Sequence, residues 1–336
     1  MRNKGLIWLT TSLIVVASVL AACSPGVQKE RITVGGGTVG GVSNLWANCF
    51  AAIVTRDVDV NATVITYSIS AMQDAVLSGL IDFGTATMDL AYEVYAGTGK
   101  YEGQAPRQEL RTLFYPGGTP MQIFVPADSA IKSFKDLAGK RVCPGQKGMS
   151  TIGYLEKALP AMGMSWPADF DVVYMGHKEG GAALVAGKID AYIAVSPPPH
   201  PTFVEIDLLH PIRLVPFSEA EIAAIIKAVP TAVRETIPDK YYHMGAPVLT
   251  WGIPSGQICT KDLSEDIAYK LAKNTFEDIA FVSSYRKSLG DFMASETPKK
   301  WVEALEGGPP YHVGAYRYYK EIGLNVPPKM IPPEAK

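Results

Sequence analysis

Two glycine-rich loops carry most of the chemistry that this sequence offers, because each runs directly into a helix-forming segment. The first, Gly35-Gly36-Gly37-Thr38-Val39-Gly40-Gly41, precedes Val42, Leu45, Trp46, Cys49, Phe50, Ile53 and Val54 at helical spacing. The second, Pro144-Gly145-Gln146-Lys147-Gly148, precedes a helix predicted from about Met149 to Met162. The first turn of a helix has N–H groups without intrahelical partners and a positive partial charge, so a small anion can be held there without a basic side chain. Thr38, Ser43 and Asn44 are placed to supplement the first loop, and Gln146, Ser150 and Thr151 the second; Lys147 adds a formal charge unless it is simply solvated. One glycine run alone also reads as a tight turn, whereas two at equivalent places favour a ligand site. Asp89, after Thr87-Met88, either caps a helix or touches ligand. Asp82 and Asp190 each follow Gly-x-Ile and are expected to shape turns.

Other chemistry has no local signature. His177, His200, His210, His243 and His312 show no HExxH spacing and no neighbouring cysteine pair, so they are expected as surface or packed residues, with no metal. GxSxG and GxxxxGK[ST] motifs are absent, so neither an enzyme nor a cofactor is expected, although a catalytic site built from distant residues stays open. Ser196-Pro197-Pro198-Pro199-His200-Pro201 either lines a cleft mouth or is a spacer.

The elements that must position these loops repeat. Arg31 to Val34 reads as a strand before the first glycine loop; Val60 to Tyr67 alternates as a second strand, Ala71 to Gly79 as a helix, and Ile81 to Thr87 as a third strand. Lys140 to Cys143 begins the same series again, Asp171 to Met175 continues it, and Ala183-Leu184-Val185-Ala186-Gly187-Lys188-Ile189-Asp190 matches Ala75-Val76-Leu77-Ser78-Gly79-Leu80-Ile81-Asp82 in its Ala, Gly, Ile and Asp. Gly40 to Gly79 and Gly148 to Gly187 both span 39 residues. The expected fold class is α/β with two lobes, each a mostly parallel sheet flanked by helices, and a ligand cleft between them. The expected division is 31–125 for the first part of lobe one, 126–215 for lobe two, 216–326 for the return to lobe one with C-terminal helices, and 327–336 for an extended Pro-rich tail. Met121 to Ala127 is the expected link between lobes, Ile212 to Pro216 the return crossing, and Ser218 with Glu221 a capping box.

Composition bounds the function. The 336 residues are 47% hydrophobic and 19% charged with a net charge of −2, which excludes a disordered chain and a coiled coil and argues against a nucleic-acid partner. Arg2 and Lys4 precede an apolar run from Gly5 to Val19 that is shorter than a membrane span, as in a secretory signal. Leu20-Ala21-Ala22-Cys23 resembles the bacterial lipobox, so residues 1–22 are expected to be removed and Cys23 lipidated. Losing Arg2 and Lys4 takes Lys+Arg from 31 to 29 against 33 Asp+Glu, a mature charge of −4. The expectation is a monomer outside the cytoplasm, periplasmic or on the outer face of a bacterial membrane, touching membrane only through its lipid. Cys49, Cys143 and Cys259 are expected as buried thiols, with one disulfide as the alternative.

Three segments then resemble known families. Ile32-Thr33-Val34-Gly35-Gly36-Gly37-Thr38-Val39-Gly40-Gly41 is similar to the opening motif of the TAXI-type solute-binding proteins of TRAP transporters, and Pro310-Tyr311-His312-Val313-Gly314-Ala315-Tyr316-Arg317-Tyr318-Tyr319-Lys320-Glu321-Ile322-Gly323 to their C-terminal signature. Ile131-Lys132-Ser133-Phe134-Lys135-Asp136-Leu137-Ala138-Gly139-Lys140-Arg141-Val142 resembles the start of lobe two in type II periplasmic binding proteins generally. The resemblance implies that fold, closure on a small organic anion such as a dicarboxylate, glutamate or 2-oxoglutarate, and delivery to TRAP permease membrane subunits. Carried over, the contacts fall near Thr38, Ser43, Asn44, Ser70, Ala71, Thr87 and Asp89 in lobe one and Gly148, Ser150 and Thr151 in lobe two. Ser43 and Asn44 stand where the family usually has aromatics, and Gln146-Lys147 interrupts a usual Pro-Gly-Ser-Gly loop; both bear on pocket shape. A sensory lipoprotein or a secreted enzyme on the same fold is the alternative.

Overall fold

The computed structural model describes residues 31–37, 42–242, 244–295 and 297–336. The first sheet is built from β1 (Arg31–Gly36), β2 (Asn61–Thr66), β3 (Phe83–Thr87) and β4 (Leu110–Gly117), with α1 (Val42–Asp57), α2 (Met72–Leu77) and α3 (Met88–Ala96) between them. The chain then crosses to β5 (Met121–Pro126), β6 (Arg141–Cys143), α4 (Ser150–Ala158), β7 (Asp171–Val172), α5 (His177–Val185), β8 (Ala191–Val195), α6 (Pro201–Asp207) and β9 (Ile212–Leu214). Next come α7 (Glu219–Ala228) and the hairpin β10 (Val233–Ile237) and β11 (Val248–Gly252), before β12 (Ser255–Thr260) re-enters the first sheet. Helices α8 (Glu265–Glu277), α9 (Ile279–Tyr285), α10 (Lys287–Ala294), α11 (Thr297–Ala304) and α12 (Val313–Glu321) follow.

The two sheets have the same plan. Their orders are β2-β1-β3-β12-β4 and β7-β6-β8-β5-β9, and the strand that arrives from the other lobe, β12 or β5, is antiparallel to its neighbours in each. The expected pair of α/β lobes with mostly parallel sheets is therefore observed. The repeat is also in register: Val42 to Ser150 opening α1 and α4, Phe83 to Ala191 opening β3 and β8, and Thr87 to Val195 closing them are each 108 positions apart. The matching aspartates do matching work. Asp82 Oδ2 accepts from the Thr33 N–H at 2.6 Å and Asp190 Oδ2 from the Arg141 N–H at 2.9 Å, each pinning the start of the third strand to the first. Gly79 and Gly187, with φ of +74° and +65°, make the left-handed turn before each aspartate, which a side chain resists.

Two boundaries differ from expectation. The first crossing lies between Gly117 and Met121, not near 125, since all of β5 pairs within the second sheet. The return lies between Gly252 and Ser255, not at 216. Residues 216–252 stay with lobe two because Phe217 stacks on Phe134 at 5.2 Å, Tyr242 joins the core around Phe124 and Phe203, and Thr250 Oγ1 donates to the Met121 carbonyl at 2.7 Å. The Ser218–Glu221 capping box forms as expected, with the Glu221 N–H donating to Ser218 Oγ at 3.2 Å.

The cores are aromatic. Trp46 stacks on Phe50 at 5.2 Å and Phe50 meets Phe114 edge-on at 5.1 Å, fastening α1 to the first sheet; Phe124 and Phe203 stack at 3.8 Å in the second. The C-terminal residues are docked rather than extended: Met330 is fully buried, its carbonyl accepts from the Tyr311 N–H at 2.9 Å, and Arg111 pairs with Glu334. Cys49, Cys143 and Cys259 are buried free thiols. No helix among the described residues is long and apolar enough to cross a membrane, and Cys23 lies outside them.

Candidate functional site

Register places the site. Ser255, at the start of β12, pairs with Thr87 at the C-terminal end of β3 and with Gly117 at the end of β4, while Met121 pairs with Val195 at the C-terminal end of β8. Each crossing thus leaves the strand-end edge of one sheet and arrives at that of the other. The C-terminal ends of the parallel strands in the two lobes therefore face each other, and the loops that leave them line the space between, where ligands bind in open α/β sheets. The crossings are tied together by a Pro120–Gly252 bridge and by Thr119 Oγ1 donating to the Ile253 carbonyl at 2.6 Å.

On the first lobe, a Cβ on Gly36 would lie 3.0 Å from the Ala47 Cβ and 3.1 Å from Asn44 Nδ2, so glycine lets the loop pass close under α1. Thr38 lies outside the described residues. Ser43 and Asn44 are half-buried in the first turn of α1, where Asn44 Oδ1 accepts from Asn48 at 3.3 Å. Ser70 is exposed and shares a 2.9 Å hydrogen bond with Ser68, Ala71 immediately precedes α2, and Thr87 immediately precedes α3 without making a side-chain cap. Asp89 has a different engagement: its Oδ2 pairs with Lys157 of α4 at 2.8 Å, and Lys157 also reaches Glu93 Oε1 at 2.8 Å, so the three form an ion pair across the lobes. Burial opposes the Lys157 charge, but Asp89 and Glu93 outweigh it and raise its pKa. Asp89 Oδ1 is buried and has no partner among the described residues.

On the second lobe, Gly145 and Gly148 take φ of +92° and +86°, the left-handed turns that bring the chain round to α4. Gln146, Gly148 and Ser150 are exposed and Thr151 is buried, on the loop and first turn that open α4. Lys147 Nζ lies 5.3 Å from the Tyr174 ring centroid, a cation–π contact within its own lobe. His177 and His200, expected as surface or packed residues, open α5 and cap α6 at the same strand ends, where His200 is buried and His177 half-buried. His177 Nδ1 is 2.9 Å from the Tyr192 hydroxyl and 3.2 Å from His200 Nε2. Burial lowers the pKa of both, and His177 beside it helps bring His200 down to about 4. The signal in the sequence was positional: His177 stands 108 residues after Ile69, the first residue of the helical turn that packs on Gly37 in lobe one.

Glu235 on β10 stands over the crossings. A Cβ at Gly118 would lie 2.7 Å from its Oε2 and one at Gly252 2.3 Å from its Oε1, and burial pushes its pKa up to about 8. A hollow lined by Pro126, Asp128, Leu184, Val185 and His210 lies at the opposite end of the second sheet from the cleft. Among the described residues no group of His, Cys, Asp and Glu is arranged to hold a metal ion. The facing ends thus present helix N-termini, hydroxyls, an amide and an imidazole: hydrogen-bond donors with little formal charge, suited to orienting a small anion.

Solved structures similar to the chain include the periplasmic aliphatic sulphonate binding protein SsuA from Escherichia coli, at 15% identity and a TM-score of 0.47 over 90% of this chain and 96% of that one. Others are a putative sulfonate ABC transporter periplasmic sulfonate-binding protein SsuA from Methylobacillus flagellatus KT (16%, 0.49, over 91% and 92%) and the probable amino-acid ABC transporter extracellular-binding protein ytmK from Bacillus subtilis (17%, 0.47, over 80% and 99%). The model of one family spans the chain from β1 to the end of α12 and just beyond, matching residues 34–323: the protein belongs to the NMT1-like family.

Proposed function

We propose that this protein is the extracytoplasmic solute-binding component of a TAXI-type TRAP transporter, capturing a small organic anion and handing it to the permease membrane subunits. The observation that carries the reading is the facing of two like lobes through the C-terminal ends of their parallel strands, joined by two short crossings that can act as a hinge. The sequence resemblance at Ile32–Gly41 and Pro310–Gly323 supports the TAXI assignment. A carboxylate would be bound between the first turns of α1 and α4, with Thr38, Ser43, Asn44, Ser70, Ala71 and Thr87 around it on one side and Gln146, Gly148, Ser150 and Thr151 on the other. Glutamate, 2-oxoglutarate and other dicarboxylates are the ligand class, and Lys157 bridging to Asp89 and Glu93 holds the lobes together around it. The protein acts without catalysis, as a monomer tethered outside the cytoplasm through Cys23.

A thermal-shift screen of mono- and dicarboxylates and acidic amino acids tests this, because a ligand that binds only the folded state raises the melting temperature. Ligand at 100 times its Kd should add about 2.7 kcal/mol of stability. A flat response across the whole panel would remove the anion-binding reading.

A further inference from the structure

The hydrogen-bond geometry at the start of α5 fixes which way an imidazole can act. Tyr192 is fully buried, and its hydroxyl has one partner among the described residues, His177 Nδ1. If Nδ1 carried the proton, the tyrosine O–H would have no acceptor; with Nδ1 bare, Tyr192 donates to it. His200 Nε2, 3.2 Å from the same Nδ1, must then also be a donor, since two lone pairs would repel there. His200 Nδ1, on a 5% exposed ring, is buried with no partner among the described residues whichever nitrogen of that ring carries the proton. His177 therefore carries its proton on Nε2, which makes no hydrogen bond among the described residues and belongs to a half-buried side chain at a cleft-facing strand end.

We propose that His177 is a ligand-contacting donor of the second lobe, presenting Nε2–H to an acceptor oxygen of the bound anion because Tyr192 and His200 occupy its Nδ1. Tyr192 and His200 are positioning residues. The two lobes become unequal at this point, since the equivalent place in lobe one holds the apolar Ile69 against Gly37. The anion's more strongly hydrogen-bonding end is thus directed to lobe two, beside α4. This inference rests on the proposed binding function and sharpens it. It assigns the ligand an oxygen acceptor that meets a neutral donor at that side, as a carboxylate, an amide or a 2-oxo group supplies.

The test uses the purified full chain in two measurements. Long-range proton–nitrogen NMR spectra of the free protein should show His177 protonated on Nε2 alone; a proton on Nδ1 would overturn the proposal whatever binds. Calorimetric titration with L-glutamate, 2-oxoglutarate, succinate and glutarate should then give about a tenfold or greater loss of affinity for His177→Phe, the loss of one hydrogen bond to a charged group. His177→Gln, which restores an amide donor at similar reach, should recover part of it. Tyr192→Phe should weaken binding in the wild-type background and add nothing to His177→Phe. Equal affinity of wild type and a folded His177→Phe overturns the role of His177 and leaves the binding function standing. Absence of binding by the wild type to every acid overturns both.

Discussion

Glu235 shows how one residue can carry a pH dependence for the whole fold. Its carboxyl sits against the Cα atoms of two crossings, Oε1 is closed off from solvent without a partner among the described residues, and desolvation alone pushes its pKa up to about 8. The folded protein favours the neutral form more than the unfolded chain does. The residue's favourable contribution is therefore complete below the usual Glu value of about 4.3 and is lost as the pH rises towards about 8. Glu235→Gln should match wild type in urea denaturation near about pH 4 and exceed it by about 2 kcal/mol near about pH 8, a figure reduced from the full shift because the residue is partly exposed. A stability gap that did not widen with pH would place the charge elsewhere. At this scale the sequence was legible where function is local and opaque where it is not. Asp82 and Asp190 were readable as turn residues because Gly, Ile and Asp are neighbours in the chain. Glu235 was invisible, since its burial comes from Gly118 and Gly252, more than a hundred residues apart in the chain.

Among elements, the repeat makes an unusually symmetrical prediction. Gly79 and Gly187 each end a helix in a left-handed turn, and a Cβ at either would meet nothing within 4 Å. The cost of alanine there is backbone conformation alone, so Gly79→Ala and Gly187→Ala should each lose about 1 kcal/mol in equilibrium unfolding, and by similar amounts. Unequal losses would mean that the two turns are not equivalent. Most element positions could be read from the strand and helix periods, but the returns could not. The segment 216–252 carries ordinary amphipathic patterning, and only the Phe217–Phe134 stack and the Thr250–Met121 hydrogen bond commit it to lobe two. Among the site residues, the glycine loops were visible from composition. The His177–His200 contact was not, because it joins residues 23 apart through the ends of two different strands.

For the whole molecule, Lys157 supplies a polar contact that joins the two lobes. Its side chain is 35% exposed, while Asp89 and Glu93 beneath it are 9% and 13% exposed, so removing the lysine leaves two shielded carboxylates facing each other. Lys157→Met should open the lobes in ligand-free protein, seen as a larger radius of gyration in small-angle scattering, and should weaken ligand binding by about tenfold or more. Unchanged scattering with unchanged affinity would make the contact incidental to closure. The most direct measurement is a crystal structure grown with whichever acid raises the melting temperature most. Its carboxylate should lie between the first turns of α1 and α4, about 2.7–3.2 Å from their N–H groups. The same acid seated away from both helix ends, as in the outer hollow beside Pro126 and His210 with the space between the lobes open, would contradict this placement.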